Sequence, residues 1–244
     1  MLERAATAIC HRHSGIGADG WILVTPPAVD APAAIRLFNS DGSAAEISGN
    51  GTRCAAALLV EAGLAETEIA IRTGAGVKRL RLIERRETQF EFEMNMGTPR
   101  IEPGHLRFQL PLGGGPRDCT ILDVGNPQCV FVVQDFDFDW QTLGAEVERH
   151  PQFPHRTNVS FVQVLDRHTL EARFHERGAG FTLSSGTGST GAFCAALTRG
   201  LVDSPVTVRT LAGPLSFRSD QDTGEVLMQG PAEIVGGGEF YFQA

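Results

Sequence analysis

The chain has no run of about 18 apolar residues and no leader-like pattern at its start, so neither a membrane span nor an export signal is expected. It has no basic cluster either. A formal net charge of −8 argues against a nucleic-acid surface. The five cysteines are odd in number and form no CxxC pair, and they read as buried or incidental thiols of a cytoplasmic protein. His11 and His13 have no third ligand nearby, and the acidic aromatic stretch 135–140 lacks EF-hand spacing, so no metal is expected. That stretch reads instead as a loop and capping segment. With 244 residues, 42% hydrophobic and 20% charged, the chain has the composition of a globular protein with one sizeable core or two small ones.

One segment occurs twice. Ser48-Gly49-Asn50-Gly51 runs into an Ala/Leu-rich stretch, and so does Ser185-Gly186-Thr187-Gly188. The first amides of a helix have no internal partner, and the macrodipole adds partial positive charge there. Glycines let the backbone approach a ligand closely, so each segment makes a cradle for an anion. A lone Ser-Gly-x-Gly reads as an ordinary N-cap. Two copies imply similar halves presenting helix ends to one carboxylate.

Six segments in order then resemble the diaminopimelate epimerase family across nearly the whole chain. They are His11 to Gly20, similar to RHxGIGADG; Phe38 to Ser43; Ser48 to Gly51; Gly125 to Val130, similar to GNPHCV; Asn158 to Phe161 followed by Glu176 to Gly180; and Ser185 to Gly188. The resemblance implies an α/β (α+β) fold of two pseudo-symmetric halves, each a mixed or antiparallel sheet around a central helix, with the active site in the cleft between them. It implies cofactor-independent epimerisation of a small diaminodicarboxylate such as diaminopimelate, in which two cysteines work on opposite faces of Cα. Carried over by position, Ser48 is the proton donor and Ser185 the acceptor. Gly49, Asn50, Gly186 and Thr187 offer amides to the α-carboxylate. Asn39, Asn126, Asn158 and Arg177 hold the far end, with Glu176 near an amino group. Family members commonly pair, so a homodimer is expected.

The departures fall on reactive groups. Both family cysteines are serine here. An alcohol is several pK units less acidic than a thiol, at about 1.4 kcal/mol each, so its deprotonation adds on the order of 6 kcal/mol, a roughly 10⁴-fold rate loss. Serine needs a neighbouring base, and Glu46 or Glu176 is the candidate. Gln128 replaces the His of GNPHCV and Phe181 replaces a Glu. The family's opening strand has no counterpart in this sequence: either the natural start lies upstream, or the first half lacks a strand and one substrate contact, which would leave a sheet edge uncovered. A binding paralogue without turnover, or an isomerase or dehydratase with a single Glu base, are the competing readings.

Periodicity and stop signals place helices at 2–10, 50–62 and 187–199, the last two stopped by Gly63 and Gly200. Residues 79–84 and 89–96 alternate as a hairpin with Phe90, Phe92, Met94 and Met96 on one face. Strands are expected at 129–133, 159–164 and 171–175, with further strands in the tail. The Pro/Gly-rich stretch 106–115 reads as the crossover, which divides the chain into halves 1–112 and 113–244.

Overall fold

The computed structural model describes residues 1–28 and 32–242. The chain folds into two compact units, Met1–Asn95 joined by the segment that starts at Gln229, and Met96–Met228. This differs from a division near residue 112. The stretch around 106–115 is not a linker: Phe108–Leu110 is a strand paired with Arg117–Asp123, and Leu110 is fully buried among Cys119, Phe131 and Phe161. The tail returns because Val226–Glu233 is a strand that meets the first unit, where Pro231 O accepts from Arg53 and Ile234 N donates to Thr88 O.

In the first unit, α1 (Leu2–Cys10) precedes β1 (Gly20–Thr25), β2 (Ala33–Asn39), β3 (Ala44–Ala45), α2 (Gly49–Glu61), β4 (Glu68–Thr73), β5 (Gly76–Arg86) and β6 (Gln89–Gly97). β1 is antiparallel to β2, β2 parallel to β4, and β4 antiparallel to β5. β5 and β6 form the expected hairpin, with Leu80 opposite Met94 and Leu82 opposite Phe92. Its buried face carries Phe90, Phe92, Met94 and Met96, as the alternation predicts. α2 packs on β1, β2 and β4.

In the second unit, β7 (Phe108–Leu110), β8 (Arg117–Asp123) and β9 (Pro127–Val133) are followed by α3 (Trp140–Glu148), β10 (Asn158–Asp166), β11 (Thr169–Glu176), β12 (Gly180–Thr182), α4 (Gly186–Thr198), β13 (Val206–Thr210), β14 (Gly213–Ser219) and the start of β15 (Val226–Glu233). From α3 onward the order repeats that of the first unit. β10 is antiparallel to β11, β12 pairs with β11, β11 is parallel to β13, and β13 is antiparallel to β14. α3 sits on β10 and β11 as α1 sits on β1 and β2, and α4 packs on the strands from β8 to β14 other than β12. One strand position is unmatched. β10 pairs on its outer side with β9, whereas β1 pairs with β2 alone among the described residues.

Both central helices end alike. Ala62 N donates to Leu58 O and Leu64 N to Leu59 O around Gly63 at φ 68°; Arg199 N donates to Ala195 O and Leu201 N to Ala196 O around Gly200 at φ 70°. The left-handed residue turns the chain back and satisfies the last carbonyls, and glycine is the residue that takes it without strain. α4 is apolar or small almost all round because 11 of its 13 residues are buried. Among the described residues, no helix is long and apolar enough to cross a membrane.

The second unit's core centres on Phe161, fully buried, with ring centroids of Phe131, Phe138 and Trp140 at 5.5, 5.7 and 6.2 Å. Offset and edge-on aromatic contacts of this kind add to burial. Phe161→Ala is expected to lower stability by about 3–5 kcal/mol. Urea unfolding checks it: the midpoint falls while the slope is kept.

Candidate active site

Each central helix begins at a serine with the same geometry. Ser48 has φ −133° and ψ 123°, and its Oγ accepts from Gly51 N at 3.0 Å. Ser185 has φ −136° and ψ 119°, and its Oγ accepts from Gly188 N at 3.0 Å. Their carbonyls accept from Thr52 and Ser189 N. The caps therefore satisfy the third and fourth amides of each helix, while the first two, on Gly49 and Asn50 and on Gly186 and Thr187, lie outside the intrahelical ladder. The glycine at the third helical position is sterically required. A Cβ on Gly51 would meet Ile22 Cδ1 at 2.7 Å, and one on Gly188 would meet Phe174 Cδ1 at 2.7 Å.

Ser185 is buried and its hydroxyl donates to Glu176 Oε2 at 2.7 Å, while Thr182 Oγ1 donates to Oε1 of the same carboxylate at 2.7 Å. Of the two candidate bases, Glu176 is the one that bonds a capping serine. Ser48 is half-buried, and its hydroxyl donates to no carboxylate among the described residues.

The other residues nominated in the second unit fall into two hydrogen-bonded sets. Asn126 Nδ2 donates to Thr187 Oγ1 at 3.3 Å and Gln128 Nε2 to Asn126 Oδ1 at 2.7 Å. Asn158 Nδ2 donates to Pro127 O at 3.0 Å, and its Oδ1 accepts from Arg177 N at 3.0 Å. The pairing of β9 with β10 puts Asn158 beside Gln128, and β11 delivers Glu176 at its end. In the first unit, Asn39 Nδ2 donates to Ser43 Oγ at 3.0 Å at the end of β2.

Three neighbours were not singled out from the sequence. Arg53 is buried one turn into α2, donating from Nη2 to Asn50 Oδ1 at 3.0 Å and from Nε to Pro231 O at 2.9 Å. Burial lowers its pKa to about 10, so it stays charged at neutral pH. Its signal in the sequence is a charge three residues after Asn50 in an otherwise apolar helix. Thr182 shares Glu176. Glu148, at the end of α3, is buried and accepts from Gly178 N at 3.0 Å, Arg156 Nη1 at 3.2 Å and His175 Nε2 at 3.2 Å, which pins the turn that carries Glu176 and Arg177. Nothing in the sequence around Glu148 marks it. The thiols do not stand in for the serines. Burial pushes Cys194 up to about 12, and burial raises Cys54 against the opposing charge of Arg53.

Burial works to raise the Glu148 carboxyl, but the Gly178 amide, His175 and Arg156 outweigh it and hold it below its ordinary 4.5. A depressed carboxyl stabilises the fold above the unfolded-state value, and that contribution is lost as pH falls from about 4.5 through the lowered folded value. Glu148→Gln is expected to cost about 2–4 kcal/mol at pH 7, because it leaves buried donors facing a neutral amide. Urea unfolding of variant and parent should show the gap narrowing at pH 3. An unchanged gap would mean that the charge is not what matters.

The family model for diaminopimelate epimerase matches residues 1–102 and 120–235. The chain is 39% identical over 250 residues to the diaminopimelate epimerase of Pelotomaculum thermopropionicum, covering 98% of this chain and 89% of that one. It is 41% identical over 255 residues to the diaminopimelate epimerase of Moorella thermoacetica, covering 98% and 90%. Among solved structures, it is similar to a hydroxyproline epimerase from Agrobacterium vitis at a TM-score of 0.72, with 16% identity over 93% of this chain and 78% of that one. It is also similar to a phenazine biosynthesis protein of the PhzF family from Bacillus anthracis at 0.65, with 14% identity over 96% and 88%. At those identities the structures speak for the α/β fold alone. The family model and the relatives carry the assignment further: the chain belongs to the diaminopimelate epimerase family.

Proposed function

We propose that this chain is an isomerase that interconverts L,L- and meso-diaminopimelate by proton transfer at Cα, without a cofactor. The reading rests on the names its relatives carry and on one observation, the matched pair of serine caps of which one is bonded to a carboxylate. In this reading Ser185 Oγ takes the Cα proton while its own proton passes along the 2.7 Å bond to Glu176 Oε2. The charge left on Cα spreads into the α-carboxylate, which the first amides of α4 stabilise. Ser48 delivers its proton to the opposite face, and its oxygen keeps the Gly51 amide as a donor. Asn39, Asn126, Asn158 and Arg177 hold the distal end, where a guanidinium suits a carboxylate. The free thiols suit a reducing cytoplasm.

The two serines are unequal in this scheme. Ser185 hands its proton to an adjacent carboxylate, whereas Ser48 must release one as a bare alcohol, a step slower than a thiol's by roughly 10⁴-fold. Exchange at the Ser185 face therefore outpaces inversion. In deuterated water, the epimer whose Cα proton faces Ser185 should gain deuterium with retained configuration before the other epimer accumulates. Glu176→Gln should slow that exchange by about 10²-fold or more. The Ser48→Cys/Ser185→Cys double variant should invert about 10³–10⁴-fold faster than the parent. Proton NMR and chiral chromatography of diaminopimelate read all three, and no exchange by parent and double variant alike would sink the reading.

A further inference from the structure

We propose that Gln128 is a positioning residue that sets the direction of a hydrogen-bond relay, so that the Thr187 hydroxyl points its hydrogen at the bound α-carboxylate. The inference rests on the reading of α4's first turn as a carboxylate site and adds a residue that acts through it. Gln128 is fully buried at the start of β9. Its Nε2 donates to Asn126 Oδ1 at 2.7 Å, which leaves Asn126 Nδ2 to donate to Thr187 Oγ1 at 3.3 Å. A hydroxyl has one hydrogen. Once Thr187 Oγ1 accepts from Asn126, that hydrogen is available to an anion, and it finds no acceptor among the described residues.

The opposite direction is worse on two counts. Turning both amides would draw the Thr187 hydrogen inward to Asn126 and leave the Gln128 amide nitrogen buried with no acceptor. In the observed direction the unpartnered atom is the carbonyl, Gln128 Oε1. The positive end of α4 also favours a donor, not a lone pair, facing an incoming carboxylate. Space is fitted to the amide as well. A Cβ on Gly191 would come within 3.3 Å of Gln128 Cγ, so the helix leaves room for this side chain by having none there. Gln128 is thus more than the absence of a titratable group: it is the buried donor that starts the relay.

Two measurements test this. Neutron diffraction from crystals of the unliganded protein locates the hydrogens directly. Asn126 N–D bonds aimed at Thr187 Oγ1 are expected, and the reversed orientation would overturn the inference whatever the protein binds. Calorimetry with L,L-diaminopimelate then compares Gln128→Leu, which keeps the volume and removes the donor, with Gln128→His, which restores a ring N–H. Gln128→Leu should weaken binding roughly 10–100-fold and Gln128→His much less. In a Thr187→Val background Gln128→Leu should change the Kd less than 2-fold, because the relay then has no end. An equal loss in both backgrounds would make Gln128 merely structural and reject the proposal. Failure of the parent itself to bind diaminopimelate would count against the proposed function, while the neutron result would still decide the relay.

Discussion

A helix whose third amide is taken by the side chain of its own capping serine has a fixed first turn, and both central helices of this chain start under that condition. The bond from Gly51 N to Ser48 Oγ, and its counterpart from Gly188 N to Ser185 Oγ, hold each serine in the extended conformation with its hydroxyl at the helix end. Close packing makes the arrangement exclusive, since Ile22 and Phe174 occupy the space a side chain on Gly51 or Gly188 would need. Given those caps, the first two amides of each helix are left outside the intrahelical ladder with the macrodipole behind them. The short strands β3 and β12 deliver the chain to each cap, and the parallel pairs β2–β4 and β11–β13 flank each helix.

What surrounds the two caps is not repeated. Ser185 is buried, shares Glu176 with Thr182, and stands beside a turn fixed by the Glu148 cluster. Ser48 is half-buried, and the neighbouring buried charge in its unit is a cation, Arg53, which orients Asn50. A carboxylate next to one hydroxyl can take its proton. The scaffold is therefore symmetric and the electrostatics are not.

Much of the scaffold was legible because local signals and tertiary structure agree. Ser followed by glycines, an apolar run and a terminal Gly63 or Gly200 placed α2 and α4 to within a residue, and strict alternation placed the β5–β6 hairpin. The division of the chain was not legible. Pro and Gly between residues 106 and 115 look like a linker, yet Leu110 is core, and the return of the tail to β6 depends on ladder bonds that leave no mark in composition. α3 hid for a related reason. Its cap, Asp139 accepting from Thr142 N at 3.1 Å, and its first residue, Trp140, fall inside the acidic aromatic stretch that reads as a loop. Glu148 and Gln128 are polar side chains whose meaning lies in partners far away in sequence or in the direction of a shared proton, and neither appears in a linear pattern.

Serine at both caps fits this division between scaffold and chemistry. A hydroxyl is among the best N-cap acceptors and a thiol a weak one, so serine favours each helix start by an amount on the order of 1 kcal/mol. The same substitution makes proton transfer harder by on the order of 6 kcal/mol unless a neighbour takes the proton. Only Ser185 has that neighbour among the described residues. Stability thus gains a little at two sites, and in the proposed reaction the Glu176–Ser185 bond is the contact on which turnover would depend. Thr182 on the far oxygen and Glu148 beneath the turn hold that carboxylate and the turn that carries it.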